Sequence, residues 1–197
     1  MEESFFALLS RMRYIGRWGL MRNNIPENVQ EHSCDVAILA HALVMIRCEV
    51  FDLHDLDPGE AVVFALFHDA TEIITGDLPT PIKYGSAEIT SAYQELERLS
   101  VARLLSYLPE EFREAYRHIL EPERGAPMYN LVKAADKLSA YIKCVQERKT
   151  GNIEFCEAER QTLEALRAMD LPELQYFMER FLPAYERSLD VLGSGAG

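Results

Sequence analysis

A chain of 197 residues with 48% hydrophobic content can bury one substantial core and is too short to require a second. Its 32 acidic against 20 basic side chains give a formal net charge of -12, which repels nucleic-acid backbones and anionic membrane surfaces, so any anionic ligand must meet a local cationic site. No basic segment precedes an apolar stretch at the N-terminus and no apolar run is long enough to span a bilayer, so the expectation is a cytoplasmic protein without a membrane or nucleic-acid polymer as partner.

Phe5, Leu8, Leu9, Met12 and Ile15 form an apolar stripe at helical spacing, and Gly16 is placed to end that helix. Arg17 to Asn28 has little periodicity. From Val29 to about Cys48 two stripes run side by side: His32, Val36, Leu39, Leu43 and Ile46 on one, Cys34, Ile38, His41 and Met45 on the next. That pattern predicts a largely buried helix. Asp57 as N-cap, Pro58 at the first helical position and Glu60 three residues after the cap begin the next one. Its nearly continuous apolar run, Ala61 to Phe67, carries it to His68-Asp69. Ala70 to Ile74 continue as a short helix as far as Gly76, and two prolines make Asp77-Leu78-Pro79-Thr80-Pro81 a stiff, extended loop.

Helices then span about Ala87 to Leu108, Glu110 to Leu120, Met128 to Lys149, Ile153 to Met169 and Leu171 to Leu189, the last bent at Pro183. Leu174, Phe177, Phe181, Tyr185 and Leu189 give the final helix a broad apolar face, for the core or in part for a subunit interface. No segment has a period of two and no repeat is present. The prediction is an all-α, single-domain helical bundle over residues 1–192, with Gly193 to Gly197 as a disordered tail. Cys34, Cys48, Cys144 and Cys156 lack C-x-x-C spacing and read as core hydrophobes or idle thiols in a reducing compartment.

Polar groups interrupt the core pattern at four places. A helix that is apolar all round is buried, so His68 and Asp69 at its end must be paired with each other or bind a metal. His32 lies on an apolar stripe, where a hydrogen-bonded neutral imidazole is the plainer reading. Asp136 shares a face with Val132, and its compensating group is either a cation in the core or Lys133 or Lys137 at the surface. Glu72 follows His68 by four residues, so on a continuing helix the two share a face, which suits a general base at a metal site; a solvated glutamate is the alternative. Two imidazoles and two carboxylates without a thiolate suit a catalytic divalent ion, such as Mn, Co, Fe, Ni or Mg, better than a structural zinc site.

His32, then His68-Asp69, then Asp136 match the pattern that names the HD-domain phosphohydrolase superfamily. Around them stand Arg17-Trp18, Glu27-Asn28-Val29-Gln30-Glu31-His32-Ser33, and His68-Asp69-Ala70-Thr71-Glu72 running on to Gly76-Asp77-Leu78-Pro79-Thr80-Pro81-Ile82-Lys83. With these strings the chain resembles the bacterial HD-domain 5'-deoxynucleotidases over nearly its full length. The likeness weakens between Arg47 and Leu56, around Glu121 to Ala126, and after Asp190. It implies a helical HD fold, a homodimer, and one divalent metal ion, Co, Mn or similar. The implied reaction is hydrolysis of deoxyribonucleoside 5'-monophosphates to deoxynucleoside and phosphate.

By the same resemblance His32, His68, Asp69 and Asp136 are the metal ligands and Glu72 the catalytic carboxylate. Arg17 orients the phosphate, Trp18 lies at the sugar, and Asp77, Leu78, Pro79 and Thr80 form the substrate loop, with Asp69 and Asp136 also facing substrate. Lys83 is a second cation near that loop, and a surface lysine is the plainer reading of it. A triphosphohydrolase of the same superfamily should need more cations than Arg17 and Lys83, and hydrolysis of a hyperphosphorylated guanine nucleotide lacks its usual acidic pair, because Ile73 follows Glu72. A metal-stabilised regulatory protein without catalysis would have no use for Glu72.

Overall fold

A computed structural model describes residues 3–83 and 85–193. Asn28 opens the helix that carries His32: its side chain accepts the backbone N–H groups of Gln30 and Glu31, both at 3.0 Å, while the Glu31 carboxylate accepts the Asn28 N–H at 3.2 Å. This reciprocal cap fixes the start of α2 (Val29–Glu49), which follows α1 (Phe5–Leu9) and a 3-10 segment, Ser10–Tyr14. An antiparallel bridge, Gly16 with Asn28, closes the irregular stretch between them. Asp57 caps α3 (Pro58–Phe67) through the N–H of Glu60 at 2.7 Å, with Pro58 where its missing N–H costs nothing.

The chain continues through α4 (Glu72–Thr75), α5 (Thr80–Lys83), α6 (Ala87–Leu105), α7 (Glu110–Leu120) and α8 (Pro127–Lys149). A 3-10 turn, Ile153–Phe155, leads into α9 (Cys156–Arg167), and α10 (Pro172–Arg180), a 3-10 segment and α11 (Leu189–Gly193) follow. No strand occurs among the described residues, as the absence of period-two patterning predicts. Among them, no helix is long and apolar enough to cross a membrane.

Two apolar cores meet at the His68–Asp69 turn. The larger is built by α2, α3, α8 and α10, with Leu43, Leu131, Leu138 and Leu174 at its centre. Truncating one of these leucines to alanine would cost about 2–5 kcal/mol through lost transfer energy and the cavity left behind. The smaller joins Phe5 of α1 to Val101, Leu104 and Leu105 of α6, and Ala70 from the turn itself is one of its members. Because residues 67 and 70 are packed into this second core, the turn that carries His68 and Asp69 is held from both sides.

Several local expectations are corrected. The second stripe of α2 faces outward, with Ile38 64% exposed and Cys34 and His41 exposed, so this helix buries one face only. Val63 and Leu66 of α3 are partly exposed too. The helix does not run on through Glu72: residues 68–71 form a turn and α4 begins anew. Pro81 sits in the first turn of α5, where proline is tolerated, so of the predicted loop only residues 77–79 stay outside a helix. The last long helix breaks at Phe181 rather than bending at Pro183. Gly193 closes α11, and residues 194–197 of the expected tail lie outside the described residues. Cys144 alone of the four cysteines is buried, and all four are free.

Candidate metal centre and substrate site

His32 comes from the first turn of α2, on its packed face, His68 from the C-terminal end of α3, Asp69 from the turn after it and Asp136 from the middle of α8. α2 packs against both α3 and α8, and this three-helix contact is what brings residues over a hundred positions apart together. His32 is fully buried; its Nε2 lies 3.1 Å from Asp136 Oδ1 and 3.6 Å from Asp69 Oδ2. His68 Nε2 lies 3.1 Å from Asp69 Oδ2 and 3.9 Å from Asp136 Oδ1, and the two imidazole rings are 5.2 Å apart.

The other ring nitrogens are occupied on the far side. His68 Nδ1 is 2.7 Å from the Ala65 carbonyl, which can only accept, so Nδ1 carries a proton and Nε2 is turned to the cluster. His32 Nδ1 is 3.2 Å from the hydroxyl of Ser139, three residues beyond Asp136 on α8. Such partners fix tautomer and ring orientation in metal-binding imidazoles. His68 Nε2 is buried 3.1 Å from Asp69 Oδ2 without hydrogen-bond geometry, so this nitrogen faces carboxylate oxygens with its bonding capacity unused. Ligand atoms of His32, His68 and Asp136 all lie within 4.8 Å of one another. Nitrogen and oxygen donors converging on a space with an unsatisfied buried nitrogen fit a divalent cation.

Electrostatics agree in direction. Burial works against charge on Asp69, yet His68 and His32 hold its carboxyl well below the ordinary carboxylate range. Burial likewise opposes charge on Asp136, and His32 and Lys133 pull its pKa down. Lys133 Nζ stands 3.7 Å from Asp136 Oδ2, so Asp136 has the surface cation proposed as its plain partner and the core imidazole as well.

Arg17 extends across the turn: Nη1 donates to Asp69 Oδ2 at 3.2 Å and Nε donates to Glu27 Oε2 at 3.1 Å. The same Glu27 oxygen accepts Trp18 Nε1–H at 2.9 Å. Trp18 has φ +59, a backbone region costly for a large side chain, and its ring packs on Phe155 at 5.2 Å. Glu27 thus holds both members of the Arg17-Trp18 pair. The segment leading to it is anchored in turn by Glu147 of α8, whose carboxylate accepts the backbone N–H groups of Asn24 and Ile25 and pairs with buried Lys143.

Glu72 is 3% exposed. Its Oε1 accepts from Lys83 Nζ at 3.0 Å, while Oε2 is buried with no partner among the described residues. Burial, reinforced by Asp69, pushes its pKa up to about 8 against the pull of Lys83. Gly76 ends α4 at φ +71, a conformation that L side chains rarely adopt. Asp77, Leu78 and Pro79 then run half-buried, and Thr80 is exposed at the start of α5. Asp77 is near enough to raise the pKa of both Arg17 and Glu72, so the loop and these two side chains share one neighbourhood. A cavity of about 540 Å3 adjoins it, with His68, Thr71, Tyr129 and Lys133 in its wall.

Two positioning groups escaped sequence reading. Glu27 stands ten residues from Arg17 in an aperiodic stretch where no spacing rule applies. Ser139 shares a helical face with Asp136, a relation that spacing could have raised.

The family model for 5'-deoxynucleotidase YfbR-like proteins matches residues 4–185. A 5'-deoxynucleotidase of Shewanella oneidensis is 45% identical over 186 residues, covering 94% of this chain and 95% of its own. One from Vibrio vulnificus is 43% identical over 190 residues, covering 96% and 97%. Among solved structures, an HD-domain phosphohydrolase from Listeria innocua superposes with a TM-score of 0.78 at 22% identity over 96% of this chain and 91% of that one. The cyanophage S-2L HD phosphohydrolase, bound to dA and one catalytic Zn2+ ion, does so with a TM-score of 0.62 at 22% identity over 92% and 96%. At such identities the structural matches speak for the HD fold; the sequence matches go further, and by them the chain belongs to the YfbR-like 5'-deoxynucleotidase family.

Proposed function

We propose that this protein hydrolyses deoxyribonucleoside 5'-monophosphates to deoxynucleoside and phosphate at the His32, His68, Asp69 and Asp136 cluster. The observation that carries the assignment of the site is the buried, unpartnered His68 Nε2 facing His32 and two carboxylates, with Arg17 and Glu72 on either side. A divalent ion held by these four residues, Co or Mn first, with Mg, Fe and Ni as further candidates, would supply Lewis-acid polarisation of a phosphoryl oxygen and ease deprotonation of water. The catalytic Zn2+ ion bound by the cyanophage phosphohydrolase, which shares this fold, supports a divalent ion here.

The side chains of the chain itself then account for positioning and proton movement. Arg17 spends Nε and Nη1 on Glu27 and Asp69, leaving Nη2 to donate to a phosphoryl oxygen. The pairing with both carboxylates keeps the guanidinium charged and fixed in plane. Glu72 Oε2 has acceptor capacity to spare: it takes the proton of the water attacking phosphorus, and the proton is returned to the 5'-oxygen as the P–O5' bond breaks. Burial raises the Glu72 pKa to about 8, and a divalent cation held beside it would draw that value back down toward neutrality, where the group can both accept and return a proton. Trp18, tied to the same Glu27 as Arg17, stands close to the phosphate contact and would crowd a ribose 2'-hydroxyl. The homodimer implied by the resemblance and the cytoplasmic location expected from the sequence belong to this proposal, and sedimentation of the purified protein tests its dimeric part.

The reaction is tested by phosphate release from dAMP, dTMP and dGMP beside AMP and dATP, after chelation and after restoring Mn, Co or Mg singly. Metal-dependent release from the deoxymonophosphates with little from AMP is the expected result. Polyphosphate release from dATP alone would refute it.

A further inference from the structure

We propose that Lys83 is a positioning residue that clamps the Glu72 carboxylate through Oε1, so that Oε2 is presented unpaired to the attacking water. The proposal rests on the reading of Glu72 as the group that handles the proton. Glu72 heads a four-residue helix placed between a turn and Gly76, and an element that short cannot fix a side chain by its own packing. The constraint comes instead from outside. Lys83 Nζ donates to Oε1 at 3.0 Å, a single point contact, and the second oxygen stays free in a buried space.

Lys83 is held in turn by α6. Its carbonyl accepts the Thr90 hydroxyl at 3.1 Å, and its ammonium lies 5.0 Å above the ring of buried Tyr93. Although burial disfavours its charge, Glu72 and Tyr93 raise the pKa of the ammonium above its ordinary value. A lysine whose side chain is only 18% exposed, whose backbone is bonded and whose head is stacked is not a solvated surface lysine. The path α6, Tyr93, Lys83, Glu72 transmits the rigidity of a 19-residue helix to one carboxylate oxygen.

The test is a double-variant cycle with dAMP as substrate on the full-length metal-loaded protein: Lys83→Met, Glu72→Gln, and both together. Lys83→Met should lower kcat by about 10–100-fold, the scale on which a misplaced group loses rate, with KM within about threefold and bound metal unchanged. The double variant should be no slower than Glu72→Gln alone, because Lys83 acts through Glu72. Tyr93→Leu, which removes the ring beneath the ammonium, should lower kcat in the same direction by about threefold and stands in should Lys83→Met fail to fold.

An unchanged kcat in Lys83→Met would overturn the proposal. So would a raised KM at constant kcat, which would make Lys83 a phosphate contact, or an independent loss in the double variant. A Glu72→Gln protein with normal turnover would overturn the reading of Glu72 and the clamp with it. Failure of the clamp alone shows differently: Glu72→Gln slow, Lys83→Met fast.

Discussion

Replacing Glu27 with alanine removes one oxygen that holds two side chains of the proposed substrate site. Arg17 Nε and Trp18 Nε1 both donate to Oε2, at 3.1 and 2.9 Å, and the Arg17 and Glu27 side chains are only 12% and 11% exposed. Hydrogen bonds to a charged group contribute about 1.5–3 kcal/mol each, so the pair sets an upper figure of about 3–6 kcal/mol. Water can reach the vacated corner and Arg17 keeps Asp69, so the expected loss is about 2–3 kcal/mol of folding stability, read by urea denaturation. Trp18 would lose the tie that holds it at φ +59, and the Arg17 fork would lose its plane. We expect kcat/KM for dAMP to fall by about 10–100-fold and the ratio of AMP to dAMP turnover to rise. Glu27→Gln keeps an acceptor without the charge and should fall between. Stability and kcat/KM of Glu27→Ala both within twofold of the parent, with sugar preference intact, would refute the argument.

Glu72→Ala should retain bound metal, measured by inductively coupled plasma analysis, while losing about 100–10,000-fold in turnover, because the proton acceptor goes and the ligand set stays. Unchanged turnover would remove Glu72 from the mechanism. Asp136→Asn should lower metal occupancy and activity together, since an amide supplies no charge; full occupancy with normal turnover would disprove its assignment as a ligand. A third prediction concerns pH in the chelated protein. Glu72 has its folded pKa raised from 4.5 to about 8, so across that interval the folded state holds a proton that the unfolded chain has lost. Its contribution therefore makes stability fall as pH rises between those values. Thermal melts between pH 5 and pH 8 should decline less steeply for Glu72→Gln than for the parent; identical slopes would show that burial does not raise this pKa.

The all-α class, the start of α3 at Pro58 and the helices α6, α7 and α8 follow from local signals: periodicity near 3.6, a capping residue with proline after it, and loops rich in Gly and Pro. These depend on residues a few positions apart, and a sequence displays such neighbours directly. Sidedness was less legible. Ile38 and His41 carry the same apolar or amphipathic chemistry as buried residues, and only the arrangement of α3 and α8 around α2 decided which stripe of that helix is covered. The same limit explains Glu72, whose helical register with His68 is broken by a turn that the packing of Phe67 and Ala70 against α6 stabilises.

For the site, the order His32, His68-Asp69, Asp136 together with Arg17-Trp18 sufficed by resemblance to point to the family, and it supplied the ligand set that the proposed function adopts. What no linear pattern contains is the set of contacts that orient those residues: the Ala65 carbonyl and Ser139 behind the imidazoles, Glu27 between Arg17 and Trp18, Lys83 on Glu72. A hydrogen bond acts over about 3 Å in space and is indifferent to separation along the chain. The chain alone therefore determined which groups are available to the chemistry, through the types and spacing of its residues. Tertiary packing decided which of their atoms are aimed, tied or left free.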